Sequence, residues 1–317
     1  MDAPHNPSRS CLKSIFVSPA EPRLRAGWRL LLQTILLGVL FSCFLLPLAF
    51  VPSASQNNTW LLLYQIAEFF AITLSVFVAR RFLDRRSFVS LGFSRKARAL
   101  RDLGAGILIT FFMMGSIFLI EWAAGWLTFD GFAWQFDSFG TVIRGTLVMF
   151  AAFVLVGWNE ELLSRGYHLQ TLESGLNTFW AVLLSSAVFG VQHLINPNSE
   201  SVWFVTVGIF LAGVFLAYGY LRTRQLWLSI GLHIGWNFFE GVVFGFPVSG
   251  LDSYALMHIR ISGPVLWTGG AFGPEAGLVL IPGIALGMFL IWLYTRREPR
   301  VDSRESTESN GQDALLP

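Results

Sequence analysis

The strongest constraint on this chain is a succession of apolar runs, each about as long as a bilayer is thick. A helix needs roughly 20 mainly apolar residues to cross a hydrocarbon core of about 30 Å. Eight segments reach that length or come close: residues 30–51, 60–79, 104–126, 142–161, 178–194, 203–221, 226–244 and 276–294. The runs are continuous rather than alternating, which favours helices over the strands of a membrane barrel. Composition agrees. Of 317 residues, 54% are hydrophobic and 13% charged, whereas soluble domains carry about 25% charged residues. A soluble enzyme and a largely disordered chain are thereby excluded. With only Cys11 and Cys43, so is a disulfide scaffold. The expected fold is all-α, a polytopic membrane bundle of about eight helices.

Basic residues orient such a bundle, because cytoplasmic loops collect Lys and Arg. Five precede the first run, eight lie between the second and third, two follow the sixth and four follow the eighth. With eight spans these 19 of the 22 basic residues share one side, and only Arg144 and Arg260 fall opposite. Both termini are therefore expected in the cytoplasm. Residues 1–29 read as a cytoplasmic segment, 30–295 as the bundle, and 296–317 as a disordered Ser-, Glu- and Asp-rich tail. The first run is too long for a signal peptide and reads as a retained span. Residues 247–275 form the longest outer loop, and no internal repeat is evident.

An ionisable side chain inside a span costs about 3 kcal/mol unless it is paired or faces water. The candidates are Glu68, Glu121, Glu160, Glu161, Arg165, His193, His233 and Glu240. Spacing singles out a subset. Glu161 and Arg165 are four apart with the acid first, the favourable order for a helical ion pair; such a pair leaves Glu160 free on an adjacent face. His233 and Asn237, also four apart, present two hydrogen-bonding heads on one face. Taken singly, each has an ordinary alternative: a charged helix end, a satisfied core histidine, a polar contact between helices. A hairpin turning near 175–177 brings Glu160 and His193 to similar depth. His233, only seven residues into its span, joins them if that hairpin projects past the bilayer or tilts.

Glu160-Glu161-xxx-Arg165, Phe189-xxx-His193 and His233-xxx-Asn237 together resemble the CAAX-protease and bacteriocin-processing family of intramembrane proteases, which includes the Ras-converting CAAX endoprotease. The resemblance covers roughly residues 140–245. It implies peptide-bond hydrolysis in a membrane cavity opening to the cytoplasm. Glu160 would activate water with help from His193, His233 and Asn237 would stabilise the oxyanion, and Glu161 and Arg165 would hold the helix end in shape. The chemistry is coherent in its own right, since a carboxylate and an imidazole can move a proton and aimed donors stabilise an oxyanion. Glu160, His193 and His233 would also make a His2Glu set able to hold Zn2+. With no HExxH helix in the chain, the metal-free glutamate mechanism is favoured and no cofactor is expected.

Two further readings stay open: a non-catalytic immunity or scaffold protein on the same fold, and a small secondary transporter using Glu68, Glu121 and Glu240 as proton sites. Those three acids otherwise read as satisfied interior or interfacial groups, Glu240 standing nearest the cavity, three residues from Asn237. His168 is expected on the cytoplasmic extension. Expected partners are the lipid bilayer and a hydrophobic or lipidated peptide or protein substrate, with aromatic walls at Trp158, Phe189, Trp236, Phe238 and Phe239. Nucleic acid is not expected, and no oligomeric state is legible. Short loops suit a compact prokaryotic member in the plasma membrane.

Overall fold

The structure, a computed structural model, describes residues 15–18, 23–50, 58–93 and 96–296. The acidic tail from 297 onward and most of the N-terminal segment lie outside the described residues.

Nine longer helices organise the described chain, besides a single helical turn at Val265–Thr268: α1 (Ala26–Leu45), α2 (Asn58–Val78), α3 (Lys96–Ala123), α4 (Phe139–Glu161), α5 (Leu169–Gly175), α6 (Thr178–Gln192), α7 (Val202–Thr223), α8 (Leu226–Asn237) and α9 (Leu280–Thr295). Six continuous helical stretches are long and apolar enough to cross a membrane. These are Ala26–Leu48, Thr59–Leu83, Arg98–Ala123, Phe139–Gly175, Thr178–Ile195 and Val202–Thr223. Each coincides with one of the first six apolar runs. The other two runs are helical but are not spans of that kind. α9 is a shorter apolar helix. α8 has eleven of its twelve residues buried, so its apolar surface meets protein rather than lipid. An apolar run reports burial without saying which neighbour does the burying, and the count of eight does not distinguish the two.

Small residues bring α8 into the centre. Gly231 and Gly235 face α3, where a Cβ would stand 2.2 Å from the Leu103 carbonyl oxygen and 2.1 Å from Thr110 Oγ1 respectively. Glycine spacing of this kind lets two helix backbones touch. At 3.6 residues per turn, His233 points away from that glycine face, and Asn237 falls on nearly the same line as His233. The close packing against α3 therefore aims both polar heads inward.

The α4–α5–α6 unit forms the hairpin expected from sequence. α5 ends at Gly175, and the side chain of Asn177 caps α6 by accepting from the Trp180 N–H at 3.0 Å. Gly166 sits against the first residue of α8, Leu226. Residues beyond 166 thus run past the α8 N-terminus, which lets His233 share a level with Glu160. α1 is tied to this hairpin and to α2 by a buried knot: Arg29 bonds Asp84 and also donates to Ser174 Oγ at 2.6 Å, while Arg80 pairs with Asp84 at 3.0 Å.

One departure from the all-α expectation is a two-stranded antiparallel sheet. β1 (Leu127–Phe132) pairs with β2 (Met257–Ile261), with a register shift between Phe129 and Gly131. It closes the end of the bundle opposite the Arg29–Asp84 knot, and Arg260 grips Asp130 across it at 2.8 Å. That exposed pairing, through its hydrogen bonds, holds the Asp130 carboxyl below the usual range.

Candidate active site

Three of the helices, α4, α6 and α8, deliver Glu160, Phe189, His193, His233 and Asn237 to one cavity of about 700 Å3. Each contribution has a local cause. α4 leads into a π-helical stretch, Leu162–His168, directly after Glu161. α8 does the same at Phe238–Val243, directly after Asn237. Wider turns of this sort recur at functional sites because they re-aim the side chains beside them. α6 instead tightens into a 3-10 turn at His193–Ile195, which places His193 where the helix ends and the cavity begins.

Glu160 and Glu161 have opposite environments. The Glu161 side chain is fully buried and its Oε1 accepts from Arg165 at 2.7 Å. The same oxygen meets His233 Nδ1 at 2.9 Å. Arg165 also donates to the Gly213 carbonyl of α7 at 2.9 Å and lies over the Phe189 ring at 4.4 Å. Phe189 in turn contacts the His193 ring at 4.7 Å and the His233 ring at 6.2 Å. The non-polar residue of the FxxxH motif is thus the piece against which the guanidinium and both imidazoles pack.

Glu160 faces the cavity, with its side chain 31% exposed. Its Oε2 stands 3.8 Å from His193 Nε2 and 3.8 Å from His233 Nε2. Both imidazoles are oriented from behind. His193 Nδ1 lies 2.8 Å from the Phe189 carbonyl oxygen, so it carries the proton and leaves the Nε2 lone pair toward Glu160. His233 Nδ1 gives its proton to Glu161, so His233 donates through Nε2 only as imidazolium. Asn237, buried, lines the cavity one turn beyond.

Among the described residues, no group of three or more His, Cys, Asp and Glu side chains is arranged to hold a metal ion. The two Glu160–imidazole separations also exceed the spacing of donors around tetrahedral zinc, roughly 3.4 Å for bonds of about 2.1 Å.

Three acids that the motifs do not include line the same cavity, Asp252 at its exposed edge and two deeper in. Glu68 on α2 hydrogen-bonds Tyr64 and Gln65 and lies near Glu160. Glu275, read from sequence as part of an outer loop, is held by three donors: Trp236 Nε1 at 3.0 Å, the Ser249 N–H at 2.8 Å and Ser249 Oγ at 2.5 Å. Trp236 sits between His233 and Asn237 in sequence, so Glu275 pins the polar face of α8 to the loop after it. Glu240, expected near the cavity, lies behind it, fully buried, with neither carboxylate oxygen hydrogen-bonded among the described residues. Glu121 is in the same condition.

The aromatic walls also differ from expectation. Phe189 and Trp236 line the cavity, joined by Phe41, Trp60, Phe153 and Phe215. Trp158 packs against Phe69 and Phe93, Phe238 against Phe150, and Phe239 against Phe111. His168 is partly buried, its Nε2 3.3 Å from Gln33 Oε1 of α1.

Residues 142–239 match the family model described as type II CAAX prenyl endopeptidase Rce1-like. The matched segment holds all three motifs and much of the cavity wall. The resemblance read from the motifs is thereby shown over that segment, and the apolar helices support an integral membrane protein. Neither a curated protein nor a solved structure matches the chain.

Proposed function

We propose that this protein is an intramembrane endopeptidase in which Glu160 and His193 activate water while His233 and Asn237 hold the oxyanion. The observation that carries the reading is the position of Glu160 Oε2, 3.8 Å from the Nε2 atoms of both histidines. That separation is too long for a hydrogen bond and suits a bridging water. The water oxygen attacks the peptide carbonyl carbon as its proton passes to Glu160, with the free Nε2 of His193 as the second acceptor. Charge then gathers on the carbonyl oxygen, where imidazolium His233 and the Asn237 amide can donate. Collapse breaks the C–N bond and returns the proton to the leaving amine. Glu161 and Arg165 support the reaction by fixing the His233 tautomer and the course of the helix.

No step needs a metal in this scheme. A metal-dependent reading would enlist Glu160, His193 and His233 as ligands, and it makes a different prediction about chelation.

The test is hydrolysis of fluorogenic peptides, a farnesylated CAAX peptide and apolar unprenylated ones, by detergent-purified protein. Wild type is compared with Glu160→Ala and His193→Ala, with and without a zinc chelator. Activity lost in both variants and indifferent to chelation supports the proposal. Activity abolished by chelation and restored by zinc replaces it with the metal mechanism. Activity that survives Glu160→Ala refutes the assignment of the base.

A further inference from the structure

The cavity has a direction. Its floor is buried and formed by Leu37, Ile72, Leu163 and Ser164. Its exposed rim is formed by Gln192, Ile195, Pro197, Leu251 and Asp252. Antiparallel contacts identify which end of the bundle holds that rim. Gln33 meets Ser75, and Phe44 stacks on Phe70, so α2 begins where α1 ends. Arg101 meets Tyr294 and Arg222 meets Thr295, so α3 begins where α7 and α9 end. Arg29, Arg80, Arg101, Arg222 and Arg224 therefore share one end of the bundle. The rim lies at the other, beside the loops that carry Asp130, Asp137 and Asp252. Among the described basic residues only Arg144 and Arg260 belong to the rim end. Lys and Arg collect on the cytoplasmic face of membrane proteins, so the rim faces away from the cytoplasm. This reverses the orientation that the family resemblance implied.

The wall has a sign as well. Glu68, Glu160, Asp252 and Glu275 line the cavity, and among the described residues neither Lys nor Arg does. A substrate cut close to its C-terminus would bring a free carboxylate into this surface, where the His233 imidazolium is already engaged by Glu160 and Glu161 and, among the described residues, no Lys or Arg of the wall receives it. An internal apolar segment, or one bearing a positive charge, meets no such repulsion.

We propose that the site acts on exported or membrane-anchored polypeptides presented from the extracytoplasmic face, cutting within an uncharged or cationic apolar segment rather than releasing a short C-terminal peptide. The proposal rests on the peptidase reading for its chemistry, but the orientation does not.

Orientation is tested by labelling. Cys11 and Cys43 are replaced by Ser, and a single cysteine is introduced as Asp252→Cys, Leu251→Cys or Ser87→Cys in protein expressed in a bacterial inner membrane. A membrane-impermeant maleimide is added to spheroplasts and to inside-out vesicles. The two rim cysteines are expected to react in spheroplasts and the Ser87→Cys protein only in inside-out vesicles; the opposite pattern overturns the proposal. Two rim positions guard against one variant failing to fold, and labelling needs no activity.

Substrate class is tested with purified wild-type protein and three quenched peptides sharing one apolar sequence. One ends in a free carboxylate three residues after the central bond, one ends there in an amide, and one continues at both ends. The amide and the extended peptide are expected to be hydrolysed at least tenfold faster in kcat/KM. Equal or preferred cleavage of the free acid overturns the substrate assignment. If none is cleaved the peptidase reading itself fails and takes the substrate assignment with it, while the labelling result stands.

Discussion

Glu161 Oε1 lies 2.9 Å from His233 Nδ1 and shares that histidine with Glu160, whose Oε2 is 3.8 Å from Nε2 of the same ring. Two carboxylates adjacent in sequence thus flank one imidazole at opposite ends, one hydrogen-bonded to it, buried and paired with Arg165, the other 3.8 Å away and open to the cavity. That division of labour separates the effects of substituting them.

Glu160→Gln is expected to lower kcat by about 10²- to 10⁴-fold, the usual contribution of a positioned base, with little change in thermal stability in detergent. Glu161→Ala removes the carboxylate that, among the described residues, pairs with the buried Arg165 guanidinium, a loss of about 3–5 kcal/mol. It should appear as a lower unfolding temperature by intrinsic tryptophan fluorescence. Equal thermal effects from the two substitutions would contradict the assignment.

His233→Ala and Asn237→Ala address the oxyanion. Each is expected to cost about 10²- to 10³-fold in kcat, the typical effect of losing one oxyanion donor. KM should move little, because these donors act mainly on charge that develops during reaction. Steady-state kinetics on a cleaved peptide decides it, and a change confined to KM would assign the pair to substrate binding.

Gly231→Ala tests how α8 is aimed. The new methyl group would meet the Leu103 carbonyl oxygen at 2.2 Å, a backbone atom that cannot swing aside. Overpacking of this kind costs about 1–3 kcal/mol. The helix must shift, so kcat should fall although the substituted residue is on the face away from the cavity. Unchanged stability and unchanged kcat would show that the α3–α8 contact is slack.

Glu240→Gln separates the peptidase from the transporter reading. Glu240 is fully buried with no hydrogen bond to either carboxylate oxygen among the described residues, and burial of an unpaired charge is costly. An amide in its place should leave peptide hydrolysis within a few fold and leave the unfolding temperature equal or higher. A proton-coupled transporter relying on that acid would instead lose its function, read as proton uptake into proteoliposomes.

The sequence carried the site more clearly than its surroundings, for a physical reason. Glu161 and Arg165, or His233 and Asn237, are neighbours through one helical turn, so their spacing reports their contact. The hairpin at Asn177 is legible for the same reason, because a capping side chain acts on backbone three residues away. Glu275 reaches Trp236 across 39 residues, and β1 finds β2 across more than a hundred; nothing in local spacing marks either contact. Glu68 looked like any other acid in an apolar run until α2 was laid beside α4. The burial of α8 was hidden similarly, since a helix enclosed by protein and one bathed in lipid share the same apolar composition.

The two π-helical stretches after Glu161 and Asn237 fix a rotational phase. Each lets one extra residue into its helix, so the side chains beyond it face a direction that an unbroken α-helix of the same sequence would not give them. Shortening either stretch by a single residue would preserve every motif letter and every apolar run. After Glu161 it would nonetheless turn Leu169–Gly175 by about a quarter turn or more, presenting exposed side chains to the core and core side chains outward; after Asn237, where the helix ends with the π-helical stretch, it would shift the entry into the loop that carries Ser249. The spacing of this chain is accordingly held to single-residue accuracy even where its side chains are interchangeable. A one-residue deletion there should be less tolerated than many multiple substitutions.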